Sequence, residues 1–293
     1  MVDTNFLIGG DPEFPIFNKK AKEYITAENL VKGSKNDPFP IAIEGCFEQL
    51  DCVGIEFTLP PAPEFWVYYD IIQKCVEHTN KSLQKVNKNY TLVPVSSAIY
   101  GYEQLYSESA NTFGCDPSYS IYRNGVSERP TPLSVGKLRT FGFHIHYGWE
   151  KEYSKEDLLD FIILNDIFIG IPSLFLDKDV QRRSMYGNLS DHRIITKDKI
   201  DYDKIEKSNR VEYRSLGTAM FNFPDIIDQG IDNIKRVILN KEVKDIIKYY
   251  YNDLKEIDQS NFDMQLCEDL KNKLIKNNHF TNEQSVSSSV WNS

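Results

Sequence analysis

Residues Leu138–Trp149, with the sequence LRTFGFHIHYGW, carry the strongest indication of the fold in this chain. Their aromatic side chains predict a buried strand, and His144 and His146 lie two positions apart within it. Residues two apart in a strand face the same side of a sheet. One strand histidine is more often a hydrogen-bonded core residue than a ligand. Two on one face favour a metal or phosphate role, because imidazole is a common ligand.

Two further motifs repeat this spacing of ionisable residues. Glu212-Tyr213-Arg214 lies in the predicted strand Arg210–Leu216, and Asp11-Pro12-Glu13 follows a Gly-Gly turn within the predicted strand segment Asn5–Phe17. A charge that is buried alone is costly unless it is paired or binds a metal. The three motifs therefore predict a cavity lined by groups that hold cations and anions.

Each acidic residue also has an ordinary interpretation. Asp11 fits a turn before a proline, and Glu13 fits a surface position. Glu56, in the segment VGIEFTL, fits the outward side of a half-exposed strand. Glu212 fits an internal salt bridge with an arginine. Taken singly, these residues do not decide between the two interpretations.

Composition and charge exclude several classes of protein. The 293 residues fit one large or two ordinary domains, and the 41% hydrophobic and 13% aromatic content allows a substantial core. The formal net charge of -9 argues against a general nucleic-acid binder, which needs a basic face. Five cysteines without a CxxC spacing argue against a disulfide framework or a zinc ribbon.

The sequence also predicts the cellular location of the protein. We find no secretory leader at Met1–Gly10, so we expect a cytoplasmic protein. The longest apolar run, in Phe161–Ile171, is interrupted by Asn165 and Asp166 and is too short to predict a membrane span.

Hydrophobic periodicity and turn residues divide the chain into predicted elements. Glu64–Asn87 is the best-defined helix, with Pro63 at its start. Ser154 is predicted to cap a helix that Gly170 and Pro172 end near Ile169. Further strands are predicted at Pro40–Gly45 and Val53–Pro60, paired as a hairpin around Cys46–Cys52, and at Thr91–Ala98. A long ordered loop is predicted at Ser107–Leu133, and helices at Asp225–Leu239, Lys241–Ile257 and Asp263–Ile275.

This order of elements favours a single α+β domain over residues 1–281, of which 225–281 are mostly helical. The serine-rich segment 282–293 is predicted to be a disordered tail.

Four arginines complete the set of candidate functional residues. Their planar guanidinium groups suit carboxylate and phosphate ligands. Carboxylate-rich sites suit Mg²⁺ or Mn²⁺, and arginines beside such a metal suit phosphoryl transfer. The chain has neither GxxxxGK[ST] nor GxGxxG, so a nucleotide would be held by other means than a P-loop or a Rossmann turn. The arginines are Arg182, Arg183, Arg193 and Arg214.

In their order along the chain, these motifs resemble the phage-type COOH–NH2 ligase type 2 group of amidoligases. This group belongs to the carboxylate–amine ligase superfamily of glutamine synthetase and gamma-glutamylcysteine synthetase. The resemblance covers about Leu7 to Leu216 and rests on Ile8–Phe14, Gly54–Phe57, Phe113–Pro117, Leu138–Gly148, Arg182–Gly187 and Val211–Arg214.

The resemblance implies an antiparallel, funnel-like sheet of the glutamine synthetase catalytic type, with helices packed outside. ATP and divalent metals (Mg²⁺ or Mn²⁺) would lie in the funnel. There a small-molecule or peptide carboxylate would become an acyl phosphate that an amine attacks. The net charge and the short apolar run predict no nucleic-acid or membrane partner. The resemblance implies a host cytoplasm if the chain is phage-encoded, and the oligomeric state is left open.

The resemblance also assigns roles to residues. The metal ligands would be Asp11, Glu13, Glu56, His146 and Glu212. The nucleotide would be held by His144, His146, Arg182, Arg183 and Arg214. The catalytic groups would be Glu56, Arg183, Arg193 and Arg214, and the substrate would contact Asp116 and Arg139. Asp11, where a glutamate is expected, and the Lys- and Asp-rich segment Lys197–Lys207 depart from the family pattern.

Two other functions fit parts of the sequence. One is a metal-dependent hydrolase built on His144, His146 and His192, which would hold zinc and need no ATP. The other is a catalytically inactive relative that binds nucleotide without turnover.

Overall fold

In the computed structural model the chain has an α+β fold with antiparallel sheets. The structure describes residues 1–111, 118–123, 125–126, 135–183, 186–198, 201–277 and 279. The strands are β1 Leu7–Gly9, β2 Glu13–Phe14, β3 Ile16–Asn18, β4 Glu23–Ile25, β5 Phe39–Pro40, β6 Phe47–Asp51, β7 Gly54–Thr58, β8 Tyr90–Leu92, β9 Ser97–Ile99, β10 Tyr119–Ser120, β11 Gly125–Val126, β12 Leu138–Thr140, β13 Ile145–Ser154, β14 His192–Ile195 and β15 Lys207–Tyr213. The helices are α1 Phe65–Val86, α2 Lys155–Asn165, α3 Ile171–Leu176, α4 Val180–Arg183, α5 Pro224–Leu239, α6 Val243–Gln259 and α7 Met264–Lys276, with a π-helical turn at Asp166–Gly170 between α2 and α3.

The largest sheet has six strands in the order β1-β13-β15-β14-β10-β11. Its two faces differ because side chains alternate along each strand. Tyr147, Val211 and Ile194 pair across the three central strands, and all three are buried. Helix α2 packs against the same three strands. One face of the sheet is therefore part of the core, which leaves the other face for polar side chains.

A second sheet has four strands in the order β2-β7-β6-β5. Ile55 and Phe57 on β7 are fully buried, and the next strand directs Glu48 to Thr79 of helix α1, whose hydroxyl donates to the carboxylate over 2.8 Å. Glu13 and Glu56 pair across β2 and β7. Glu56 lies between Ile55 and Phe57, so both glutamates are on the face of the sheet that points away from helix α1. Two smaller sheets have the strand orders β4-β3-β8 and β12-β9.

The segment that starts at Ser154 forms the central helix of the core. The Ser154 hydroxyl accepts from the backbone N–H of Asp157, as the predicted cap requires. The prediction that Gly170 and Pro172 end this helix is wrong, because the chain continues through the π-helical turn into α3. Pro172 lies in the first turn of α3, where its missing N–H costs little. Gly170 leaves room for the hydroxyl of Tyr213, which would lie 2.4 Å from a Cβ there.

Among the described residues, the continuous stretch Lys155–Leu176 is long and apolar enough to cross a membrane by length and composition alone, with a mean hydropathy of 1.8. In the structure 89% of its apolar window is buried within the protein. Burial of this kind is what a core helix shows.

Two strand predictions are wrong in detail. The predicted hairpin partner Pro40–Gly45 is largely irregular, and the strand that pairs with β7 is β6, from within the expected turn. The predicted strand Leu138–Trp149 divides into β12, which pairs with β9, and β13, which pairs with β1 and β15. The chain changes sheets between them, where Gly142 bridges to Gly217.

Several other predictions agree with the structure. Helix α1 has its predicted bounds within one residue, and α5, α6 and α7 match the three predicted C-terminal helices closely. The extents of the single domain 1–281 and of the tail 282–293 stay predictions, and the tail lies outside the described residues. The glutamine synthetase type of funnel likewise stays a prediction.

Candidate active site

A row of polar residues crosses the open face of the six-stranded sheet. The register aligns Gly9 of β1, His146 of β13, Glu212 of β15 and Arg193 of β14. Residues directly opposite one another in antiparallel strands share a face. The sheet thereby brings together residues separated by up to 203 positions in the sequence, at a place where Gly9 leaves space beside His146.

Glu212 is the ionic centre of this row. Its Oε2 accepts from Arg214 Nη1 over 2.9 Å and lies 3.3 Å from Arg193 Nη1. Its Oε1 lies 3.8 Å from His146 Nε2. Burial alone would raise the pKa of Glu212, but the positive charges of His146 and the two arginines outweigh it and lower the pKa. Glu212 is therefore an ionised, nearly buried carboxylate that holds two guanidinium groups.

Asp11 links the two larger sheets, since it lies between β1 and β2. Its Oδ1 lies 2.9 Å from Nδ1 of His144 and 3.3 Å from Nε2 of His146. Burial opposes ionisation, yet the interactions with His144 and His146 hold the pKa of Asp11 well below its usual range. The negative charges of Asp11 and Glu212 raise the pKa of His146, against the effect of burial. For His144, burial and the charge of Arg214 lower the pKa to about 4.

A cluster of three carboxylates lies next to Asp11 on the second sheet. Ligand oxygens of Glu13, Asp51 and Glu56 lie within 4.8 Å of one another. Lys35 Nζ lies 3.4 Å from Asp51 and 3.9 Å from Glu56. Burial and the neighbouring carboxylates raise the pKa of Glu13 to about 8 and that of Glu56 to about 10. Oxygen ligands at this spacing fit Mg²⁺ or Mn²⁺, which would relieve the repulsion.

This repulsion predicts how stability depends on pH in the absence of metal. A carboxyl whose pKa is raised on folding stabilises the fold at low pH, and the gain is lost as the pH rises through the folded-state pKa. For Glu13 and Glu56 the loss runs from the unfolded-state pKa of 4.5 up to the folded-state pKa values of about 8 and about 10. We expect the melting temperature in EDTA to fall by about 5 °C or more from pH 6.5 to 9. Calorimetry over this range measures it.

Magnesium is the control for this pH prediction. A cation that binds the ionised carboxylates should flatten the decline, because it favours the charged form. A melting temperature in EDTA that stays level or increases from pH 6.5 to 9 would contradict the placement of these carboxylates.

The two arginines of the Arg182-Arg183 pair lie on different sides. Arg182 is fully buried and donates to the backbone carbonyl oxygens of Ser215, over 3.0 Å, and Arg214, over 3.3 Å. It thus holds the chain immediately beside the site. Arg183 instead donates to the Ser173 hydroxyl over 2.9 Å and lies over the ring of Phe262, within the helical layer. Of the four predicted arginines, the structure brings Arg193 and Arg214 to the carboxylates.

The two predicted substrate residues are less informative. The guanidinium of Arg139 is buried and donates to the backbone carbonyl oxygens of Ala110, Gly136 and Leu138 over 2.7–3.1 Å. These contacts brace the start of β12, and a substrate role for Arg139 stays a prediction. Asp116 lies outside the described residues.

The histidine set of the alternative hydrolase is not assembled. His192 pairs with Tyr213, so it faces the core side of the sheet. Its ring nitrogens lie 2.7 Å from the Ser190 carbonyl oxygen and 2.6 Å from the Tyr202 hydroxyl. His144 and His146 share Asp11, whereas His192 lies on the other face.

Sequence reasoning missed four residues of this site. Asp51 and Lys35 belong to the acidic cluster, and Ser118 and Tyr186 contact Arg214. A signal for Asp51 exists in hindsight, because β6 and β7 form a tight hairpin with two residues in its turn. Once Glu56 is taken as functional, that register places Asp51 on the same face. Tyr186 lies within the Arg182–Gly187 motif of the resemblance, which gave it no role, and no sequence pattern marks Lys35 or Ser118.

Comparisons with known proteins give little support beyond this geometry. No family model matches the chain, and no curated protein matches it. Among solved structures, it is similar to a bifunctional glutathione synthetase from Pasteurella multocida, with 12% sequence identity and a TM-score of 0.40. The similarity covers 93% of this chain and 49% of that one, so the chain spans about half the length of the synthetase. A likeness this distant does not assign a fold family or an activity.

Proposed function

We propose that the chain is an ATP- and metal-dependent ligase that joins a carboxylate to an amine through an acyl phosphate. The observation that carries the proposal is the adjacency of two oppositely charged groups on the polar faces of the two larger sheets, which Asp11 links. The carboxylates Glu13, Asp51 and Glu56 form one side, and Arg193 and Arg214 form the other. Asp11 and His146 lie between them. A metal–nucleotide complex has the complementary charge pattern.

The chemistry requires such a site. A carboxylate and an amine do not condense in neutral water, because hydroxide is a poor leaving group and both reactants are charged. Transfer of the γ-phosphoryl group of ATP to the carboxylate replaces that leaving group with phosphate. Catalysis of this transfer depends mainly on positioning and charge neutralisation.

The residues of the chain divide this task. When bound, a divalent cation held by Glu13, Asp51 and Glu56 would supply positive charge to the nucleotide phosphates. Arg214 and Arg193 would donate hydrogen bonds to the transferring phosphoryl group, and Glu212 holds both guanidinium groups at one place. His146 is 22% exposed in its side chain and faces the space between the two sides, where it can contact phosphate oxygen.

The proposal is tested first by ligand binding. We expect ATP with Mg²⁺ to raise the melting temperature, since a ligand that binds only the folded state adds about 2.7 kcal/mol at one hundred times its Kd. ATP in EDTA should give a much smaller shift. Release of ADP is then followed with panels of carboxylates and amines.

A matched control variant is Glu77→Gln, which removes an exposed carboxylate of α1 that pairs with Lys81. It should shift with ATP and Mg²⁺ as the wild type does. A stabilising shift with Zn²⁺ alone and none with ATP would reject the ligase in favour of metal-dependent hydrolysis. A shift with ATP but no ADP release with any substrate pair would indicate an inactive nucleotide-binding relative.

A further inference from the structure

A series of hydrogen bonds joins the arginine side of the site to Asp11, and Tyr186 and His144 are its two inner members. Arg214 Nη2 donates to the Tyr186 hydroxyl. The hydroxyl oxygen lies 3.2 Å from His144 Nε2, and His144 Nδ1 lies 2.9 Å from Asp11 Oδ1. These hydrogen bonds thus connect Arg214, a predicted phosphate ligand, to Asp11, a predicted metal ligand, through two residues.

The direction of each hydrogen bond follows from what the end groups can do. A guanidinium can only donate, and a carboxylate can only accept. The Tyr186 oxygen therefore accepts from Arg214, and the Tyr186 hydroxyl can donate to Nε2 of His144. At the other end, Nδ1 of His144 must carry the proton that Asp11 accepts. Tyr186 and Asp11 together select the Nδ1–H tautomer of His144.

Tyr186 is itself held on several sides. Its ring lies 5.1 Å from the guanidinium carbon of Arg182 and 5.5 Å from that of Arg214. Its backbone N–H donates to the Arg182 carbonyl oxygen over 2.7 Å. Gly187 follows with φ of +78°, and a Cβ at that position would lie 1.9 Å from Arg182 Nη1. Glycine at 187 thus lets the Arg182 side chain pack beneath the tyrosine.

We propose that Tyr186 is a positioning residue, which orients Arg214 and fixes the His144 ring that holds Asp11. This inference rests on the proposed ligase function and adds a residue to its site. Outer partners of this kind fix ring orientation, and their loss typically costs 10–100-fold in activity. Arg214 keeps its bonds to Glu212 and to Ser118 without Tyr186, so the loss should be partial.

The tautomer of His144 is the first test, because it needs no substrate. The imidazole nitrogens of ¹⁵N-labelled wild-type protein are measured by NMR at pH 7.5, and His144 is assigned with the variant His144→Gln. We expect Nδ1–H in the wild type, and in Tyr186→Phe the same tautomer with its Nε2 resonance shifted, because Nε2 loses the hydroxyl that donates to it. A wild-type His144 in the Nε2–H form would overturn the inference, whatever the activity.

Kinetics give the second test, with Tyr100→Phe as the matched control. Tyr100 is buried, and its hydroxyl has no hydrogen-bond partner among the described residues. In Tyr186→Phe we expect kcat to fall about 10–100-fold, with the KM for ATP within about threefold of the wild type. Tyr100→Phe should keep the wild-type kcat.

The two tests separate the two proposals. Unchanged kcat in Tyr186→Phe, with an unchanged Nε2 resonance of His144, would overturn the role of Tyr186 while the ligase function stands. Wild-type protein without ADP release for any substrate pair would overturn the ligase function, and the NMR comparison of the His144 Nε2 resonance would still decide whether Tyr186 orients His144.

Discussion

Replacing Glu212 with glutamine should abolish ATP turnover and also destabilise the protein. The carboxylate accepts from Arg214 and lies 3.3 Å from Arg193, with only 8% of its side chain exposed. Removing one member of a buried ion pair leaves its partners without a counter-charge, which typically costs about 3–5 kcal/mol. An amide still accepts one hydrogen bond, so we expect the lower end, about 3 kcal/mol. Calorimetry and an ADP-release assay measure both effects.

The sign of the pH dependence gives a second check on Glu212. Its pKa is lowered on folding, so its contribution to stability is complete above its unfolded-state pKa and is lost as the pH falls through the folded-state value. The loss in Glu212→Gln should therefore be large at pH 7 and shrink towards pH 3. Glu206→Gln, an exposed neighbour just before β15, is the control and should behave as the wild type. Full turnover in Glu212→Gln would remove Glu212 from the site.

Replacing Glu56 with glutamine should also abolish turnover, but it should make the metal-free protein more stable. Glu56 is 6% exposed, and its one charge partner among the described residues is Lys35, 3.9 Å away. The amide removes repulsion with Asp11, Asp51 and Glu13. We expect the free energy of unfolding in EDTA to increase by about 1 kcal/mol, or about 2–4 °C in melting temperature. Turnover should fall by about 100-fold or more, with the Mg²⁺-induced stabilisation lost.

Glu48→Gln is the matched control for Glu56→Gln. Glu48 lies on the adjacent strand and is similarly buried, but it faces helix α1 and accepts from Thr79. Its replacement should leave the response to Mg²⁺ and the turnover unchanged. If Glu56→Gln destabilised the metal-free protein as Glu212→Gln does, Glu56 would be a structural partner of Lys35 rather than a member of a repulsive cluster.

The opposite effects on stability distinguish the two carboxylates of one site. Glu212 is ionised and neutralised by arginines in the folded chain, whereas Glu56 is held among like charges. A carboxylate kept at a cost in stability is typical of a residue retained for binding or catalysis. The comparison is therefore more informative than loss of activity alone.

Short-range periodicity was sufficient to predict four of the helices and two pairs of site residues that share a strand face. Helix α1 and the three C-terminal helices are long and amphipathic, and their predicted bounds agree with the structure. Glu212 and Arg214, and His144 and His146, were predicted to share a face from their two-residue spacing. In the structure Asp11 contacts both histidines, and Glu212 contacts Arg214.

Other features depend on contacts between distant segments. The strand predicted at Leu138–Trp149 changes sheets at Gly142, because Gly217 and Glu13 bind that backbone. Arg183 follows Arg182 directly but faces Ser173 in the helical layer. No local pattern distinguishes these two arginines.

By itself, the sequence determined helix α1 and the three C-terminal helices, the alternation of faces along each strand and the residue types of the candidate site. These follow from local backbone geometry and from the cost of burying unpaired charge. Only the tertiary structure decided which strands pair and in which register. It thereby placed Asp51 beside Glu56 and Tyr186 between Arg214 and His144. The physical reason is that pairing register and side-chain neighbours are set by contacts among residues far apart in the chain, which no short window of sequence contains.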